Sequence, residues 1–227
     1  MLETLERETG PNPAWSVIWL HGLGADGHDF APIVPELVRP QWPPLRFVFP
    51  HAPVRAVSIN NGMRMRAWYD ILGLEIAQQQ DEEGVRASIG LVDALVEREA
   101  ARGIASDHVL LAGFSQGGAI ALAAALRHPR KLAGVIALST YLPIAQHTEA
   151  ELSEANRGIP IFMAHGDQDP VVGHALGAMS RDYLERLGHR VDWHSYPMVH
   201  AVCPQEIADI ARWTGARIGA GTGAGTA

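Results

Sequence analysis

The stretch Gly113-Phe-Ser115-Gln-Gly117 sets one hydroxyl between two glycines. An apolar run of strand length, His108 to Ala112, precedes it, and an Ala/Leu-rich segment of high helix propensity follows to Leu126. Strand, tight turn and helix make the setting in which a serine becomes a nucleophile. The turn projects Oγ clear of the backbone, and the flanking glycines remove Cβ atoms that would collide. The next helix aims its N-terminal N–H groups at the place where negative charge develops on a substrate. The N–H of Gln116 is then one oxyanion donor. A second comes from the glycine loop His21-Gly22-Leu23-Gly24, with Leu23 ahead of Gly22.

A serine hydroxyl is a poor nucleophile at neutral pH and needs a histidine base held by a carboxylate. Of eleven histidines, those downstream of the serine and of a candidate acid are His174, His189, His194 and His200, if the chain order is serine, acid, base. His189 sits between a helix cap and a strand, at the wrong end. His194 lies inside a strand, and His174 starts a helix too near the acid in sequence. His200 leaves a strand at its carboxyl end and enters a loop, which makes it the candidate base. The acid is Asp167 or Asp169. Spacing leans to Asp169, while Asp167, directly after a glycine, suits bracing backbone amides.

These groups must be carried by strands that end on one side. Short apolar runs at 15–20, 45–49, 108–112, 134–139, 159–164 and 191–196 read as strands. Helical spacing recurs from Val85 to near Gly103, from the serine to Leu126, from His174 to Leu187 and from Pro204 to about Arg217. Strands alternating with helices predict a mostly parallel central sheet with helices on both faces, an α/β fold. Sites in such sheets form beyond the carboxyl ends of the strands, where all four loops named above lie. Residues 1–14 read as a short arm or edge hairpin, 62–83 as an irregular lid or binding segment, and 140–157 as a variable loop. Within 62–83, Trp68, Leu72 and Leu74 are candidates for contact with substrate; for Trp68 an ordinary core position is equally expected. Residues 1–218 form one domain on this reading, with a disordered Gly/Ala/Thr-rich tail at 219–227.

At 227 residues, 47% apolar and 19% charged, the chain is globular. Its formal charge of −7 argues against a nucleic-acid partner. No apolar run reaches the roughly 20 residues that cross a bilayer, and no signal-peptide pattern opens the chain. The single cysteine, Cys203, fits a reducing, cytoplasmic compartment. A thiol hydrolase using Cys203 is disfavoured by its closeness to His200. The histidines show no H-E-x-x-H and no clustered ligand spacing, so no metal is expected.

Motifs along most of the chain resemble the carboxylesterase and acyl-protein thioesterase (phospholipase/carboxylesterase) family of α/β-hydrolases. They are His21-Gly-Leu-Gly-Ala-Asp-Gly27, Met65-Arg-Ala-Trp-Tyr-Asp-Ile71, Asp81-Glu-Glu-Gly84, Leu111-Ala-Gly-Phe-Ser-Gln-Gly-Gly-Ala119, His165-Gly-Asp-Gln-Asp-Pro-Val-Val172 and His200-Ala-Val-Cys203. The family's histidine is commonly followed by serine, where this chain has Ala201. The resemblance implies the α/β-hydrolase fold and a catalytic triad of Ser115, Asp169 and His200. It implies oxyanion N–H groups on Leu23 and Gln116, and a structural role for Asp167. It also implies a serine hydrolase cleaving carboxylic esters or acyl thioesters through an acyl-serine, with no cofactor and often as a homodimer. An acyl-protein thioesterase, a lysophospholipase and a non-catalytic ligand-binding relative are the alternatives.

Overall fold

Trp15–Leu20 and Leu45–Pro50 are strands buried at every residue, as a parallel sheet covered on both faces requires. The computed structural model describes residues 2–73 and 80–219. Its elements in chain order are β1 (Thr4–Glu8), β2 (Trp15–Leu20), α1 (Val34–Leu37), β3 (Leu45–Pro50), β4 (Val54–Val57), β5 (Met63–Arg66) and α2 (Glu82–Ala101). There follow β6 (Val109–Phe114), α3 (Gln116–Arg127), β7 (Gly134–Leu138), α4 (Ala145–Glu151), β8 (Ile161–Gly166), α5 (His174–Arg186), β9 (Val191–Tyr196) and α6 (Pro204–Gly219).

Seven strands form the main sheet in the order β1-β3-β2-β6-β7-β8-β9. Every pairing is parallel except β1 on β3. Alternation along β2 sends Ile18 and Leu20 into one core and Val17 and Trp19 into the other. The first core packs under α2, α3 and Leu184 of α5, the second under α1 and Ile210, Trp213 and Ile218 of α6. Helices therefore cover both faces. The sideways order in which successive strands join the sheet reverses between the parallel neighbours β2 and β6, which pair from Ser16↔Val109 to Leu20↔Gly113. The carboxyl ends of these two neighbours form the crevice in which open α/β sheets place their sites.

Four local expectations are corrected. The N-terminal arm is a single edge strand, β1, paired with β3. Residues 62–83 are less irregular than their polarity suggests, because Met63–Arg66 closes a hairpin with Val54–Val57. The 140–157 segment holds α4 and a 3-10 turn at Glu154–Asn156. Helix α6 runs to Gly219, one residue into the expected tail; 220–227 and the candidate Leu74 lie outside the described residues. Helix α1 has no counterpart in the sequence pattern, being a single turn opened by prolines and too short for periodicity to register.

One close approach joins the last two strands' loops. A Cβ on Gly166 would lie 2.3 Å from the Met198 carbonyl oxygen and 2.5 Å from that of Val199. Because both obstacles are backbone, Gly166→Ala must push the β8 and β9 loops apart. The expected cost is about 2–3 kcal/mol in urea unfolding, with activity lost from the protein that remains folded. An unchanged unfolding midpoint would contradict the tight packing described.

Candidate active site

Ser115 occupies φ 54°, ψ −122° at the N-cap of α3, a region that residues with a Cβ rarely adopt. Its surroundings over-determine that conformation. The Ser115 N–H donates to Leu138 O at 2.8 Å, while its carbonyl accepts from Ala119 N at 3.1 Å and from Thr140 Oγ1 at 2.7 Å. Both glycines of the motif are sterically required. A Cβ at Gly113 would sit 2.4 Å from the Gly117 backbone, and one at Gly117 would sit 2.3 Å from Leu20 O. The first turn of α3 thus lies directly against the end of β2. The N–H of Gln116, first residue of the helix, has no acceptor within it.

The imidazole of His200 comes from the loop after β9. Its Nε2 is 2.9 Å from Ser115 Oγ, and its Nδ1 is 2.6 Å from Asp169 Oδ2. Phe114 packs against the ring at 4.7 Å between centroids. The second oxygen of Asp169 accepts from the N–H groups of Val171 and Val172 at 2.8 and 3.0 Å. The carboxylate is buried and orients the histidine from a loop that it also folds. Asp167 is exposed, and its backbone N–H donates to Tyr196 O. The other three candidate bases lie elsewhere. His174 Nε2 bonds Ser195 Oγ at 2.9 Å, His194 stacks on Phe162 at 4.9 Å, and His189 is buried just before β9.

The loop after β2 is anchored by groups that motif reading leaves without a role. His21 Nδ1–H donates to Gly22 O at 2.7 Å, and its Nε2 accepts from Ala52 N at 3.0 Å. That pairing fixes the neutral tautomer, in keeping with a pKa that burial lowers. Trp68 Nε1 donates to His21 O at 2.9 Å. The Gln116 side chain grips the same segment from the elbow, accepting from Trp68 N and donating to Tyr69 O, both at 2.7 Å. Asp81 caps α2 through Gly84 N at 2.9 Å and holds Asp70 N at 2.8 Å. His165 Nε2–H donates to Val172 O at 2.7 Å and stands 3.4 Å from Asp169 Oδ2. Burial keeps this ring neutral as well. None of these partnerships is visible in residue spacing.

Ser115, Gln116 and Leu23 share a cavity of about 310 Å³, walled mainly by Ile59, Tyr69, Ile71, Tyr141 and Val172. Trp68 does not line it. The ring is fully buried, and its Nε1–H donates to His21 O of the glycine loop, so it sits in the core. Leu72 is 44% exposed and also stands outside the lining. Among the described residues, Asp26, His28 and His51 form the one group that could hold a metal ion. Asp26 Oδ1 accepts from His28 N and bonds its Nδ1, and His51 Nδ1 accepts from Gly27 N. Cys203 lies outside the cavity lining, where α6 starts.

The sheet order, the helices on both faces and the strand–turn–helix at Ser115 are those of an α/β-hydrolase. The chain matches the profile of the Phospholipase/Carboxylesterase family over residues 7–218; it belongs to that family and is a hydrolase. It is 42% identical over 202 residues to acyl-protein thioesterase 1 of Neurospora crassa, covering 85% of this chain and 82% of that protein. It is 39% identical over 215 residues to acyl-protein thioesterase 1 of Cryptococcus neoformans, covering 87% and 90%. Among solved structures, Arabidopsis thaliana SOBER1 matches with a TM-score of 0.85 and 30% identity, over 89% of this chain and 98% of that one. Zea mays acyl-protein thioesterase 2 matches with 0.82 and 28%, over 94% and 99%. Among the described residues no helix is long and apolar enough to cross a membrane.

Glu206, in the first turn of α6 beyond the His200 loop, is completely buried. Burial pushes its carboxyl up to about 8, with Asp209 adding to the shift and the Cys203 backbone opposing it. An unfolded Glu titrates near ~4.3. Between those values the folded state binds one proton more than the unfolded state, so stability falls as pH rises through this window and levels off above it. Glu206→Gln removes that dependence. In urea unfolding, the variant's stability relative to the parent should be greater at pH 8 than at pH 5 by about 3 kcal/mol. An offset equal at both pH values would show that Glu206 is ionised in the folded protein.

Proposed function

We propose that the chain is a serine hydrolase that cleaves carboxylic esters and acyl thioesters through an acyl-serine intermediate. The observation that carries this reading is the unbroken hydrogen-bond chain from Asp169 through His200 to Ser115. His200 takes the Ser115 proton as Oγ attacks the acyl carbonyl, and returns it to the leaving alcohol or thiol. Backbone N–H groups of Leu23 and Gln116 receive the oxyanion, a contribution typically worth about 10²–10³ in rate. Water, activated by the same imidazole, then frees the carboxylic acid. Asp169 holds the Nδ1–H tautomer and stabilises the imidazolium, so Ser115, Asp169 and His200 form the catalytic triad. Acyl thioesters are included because relatives 39–42% identical are named acyl-protein thioesterases. A cytoplasmic setting accords with the single cysteine, and a homodimer is carried over from the family.

The test is hydrolysis of p-nitrophenyl butyrate and of a medium-chain acyl thioester. Ser115→Ala and His200→Ala should each lower kcat by about 10⁴–10⁶, and Asp169→Asn by about 10³–10⁴ through the wrong imidazole tautomer. All three should unfold within a few degrees of the parent. Retention of a tenth or more of the activity by Ser115→Ala would remove this reading.

A further inference from the structure

Two cavities meet at one residue. Tyr141 lines the cavity beside Ser115 and also a second one of about 230 Å³, between α4 and α5, whose apolar wall includes Leu142, Ala145 and Leu176. Tyr141 is the one residue common to both linings. It is held in place: its hydroxyl bonds that of Tyr69 at 2.8 Å, and both side chains are buried. Tyr69 is tied in turn to the elbow, its carbonyl accepting from Gln116 Nε2 at 2.7 Å. On the other side, the N–H of Leu142 donates to Ser180 Oγ of α5 at 2.9 Å. The partition is therefore bonded to the helix after the nucleophile and to the helix walling the second cavity.

We propose that Tyr141, braced by Tyr69, is a chain-length stop that ends the acyl site beside Ser115 and closes off a second apolar cavity behind it. The proposal rests on the acyl-serine chemistry above and adds a substrate class, medium-chain acyl groups. Burial raises the pKa of both phenols, so the pair stays neutral and presents rings to an apolar chain. With a methylene counted at about the 30 Å³ share of a liquid water, the 310 Å³ cavity has room for a chain on the order of ten carbons. Up to that length each added methylene is buried and raises kcat/KM about three- to four-fold; beyond it, further carbons meet the Tyr141 stop and raise nothing.

The test is kcat/KM for p-nitrophenyl esters of two to sixteen carbons, each kept below its critical micelle concentration. In the wild type, the rise should stop near ten carbons, leaving the sixteen-carbon ester no better than the ten-carbon one. Tyr141→Ala should extend the rise to fourteen or sixteen carbons, a gain of at least tenfold there relative to the ten-carbon ester. The double variant Tyr141→Ala with Leu176→Trp, which refills the second cavity, should bring the limit back. Tyr141→Leu serves the same purpose where the alanine variant does not fold. A wild-type profile that climbs without a break to sixteen carbons overturns the stop and leaves the hydrolase reading intact. So does a Tyr141 variant that lowers all lengths in parallel. Failure of the wild type to cleave any of the esters overturns both.

Discussion

Everything at the site depends on how closely the backbone of α3 approaches the end of β2. With a Cβ at residue 117 falling 2.3 Å from Leu20 O, and one at residue 113 falling 2.4 Å from the Gly117 backbone, only glycine permits the contact. The helix cannot retreat, because Gln116 through Leu126 are all buried. The strand cannot move either, since β2 is hydrogen-bonded on both sides, to β3 and β6. Ser115 is caught between them at positive φ, and its strained conformation is held by the sheet rather than by its own side chain. The helix N-terminus thereby comes to face the loop that follows β2.

A second tier of contacts keeps that loop from relaxing. The neutral ring of His21, the indole of Trp68 and the amide of Gln116 tie three segments together through main-chain atoms. Each joins buried groups that would be costly to leave unpaired. The result is a set of dipoles fixed before any substrate arrives, which is what stabilisation of a developing oxyanion requires. The Asp169 carboxylate is arranged in the same manner. One oxygen of Asp169 folds its own loop through two backbone N–H groups, and the other faces His200.

The sheet and the loop cluster are legible in the sequence because their signals are local. Buried parallel strands read as apolar runs, and a serine between two glycines, with a strand before it and a helix after it, points to a nucleophile. His200 stands out by its place after a strand. Choosing Asp169 over Asp167 needs either family resemblance or the buried oxygen positions, since both follow the same glycine. Further features have no local signature. The β4–β5 hairpin, with the strands Val-Arg-Ala-Val and Met-Arg-Met-Arg, shows no apolar run, so it reads as loop. Trp68 suits a cavity wall and the core equally well by its type and position, and only its burial and its hydrogen bond to His21 O distinguish the two. The side chains of Gln116, Tyr69 and Tyr141 matter through partners 47 to 72 positions away, a range no spacing rule covers.

The central claim is that Ser115 Oγ carries the acyl group of a covalent intermediate. Reaction with a serine-directed fluorophosphonate, followed by intact-mass and peptide mass spectrometry, reads the reactivity of that oxygen directly. One adduct per chain is predicted, confined to the peptide carrying Ser115 and formed much more slowly in His200→Ala. An adduct on any other residue, or continued ester cleavage by fully unlabelled protein under saturating reagent, would contradict the account.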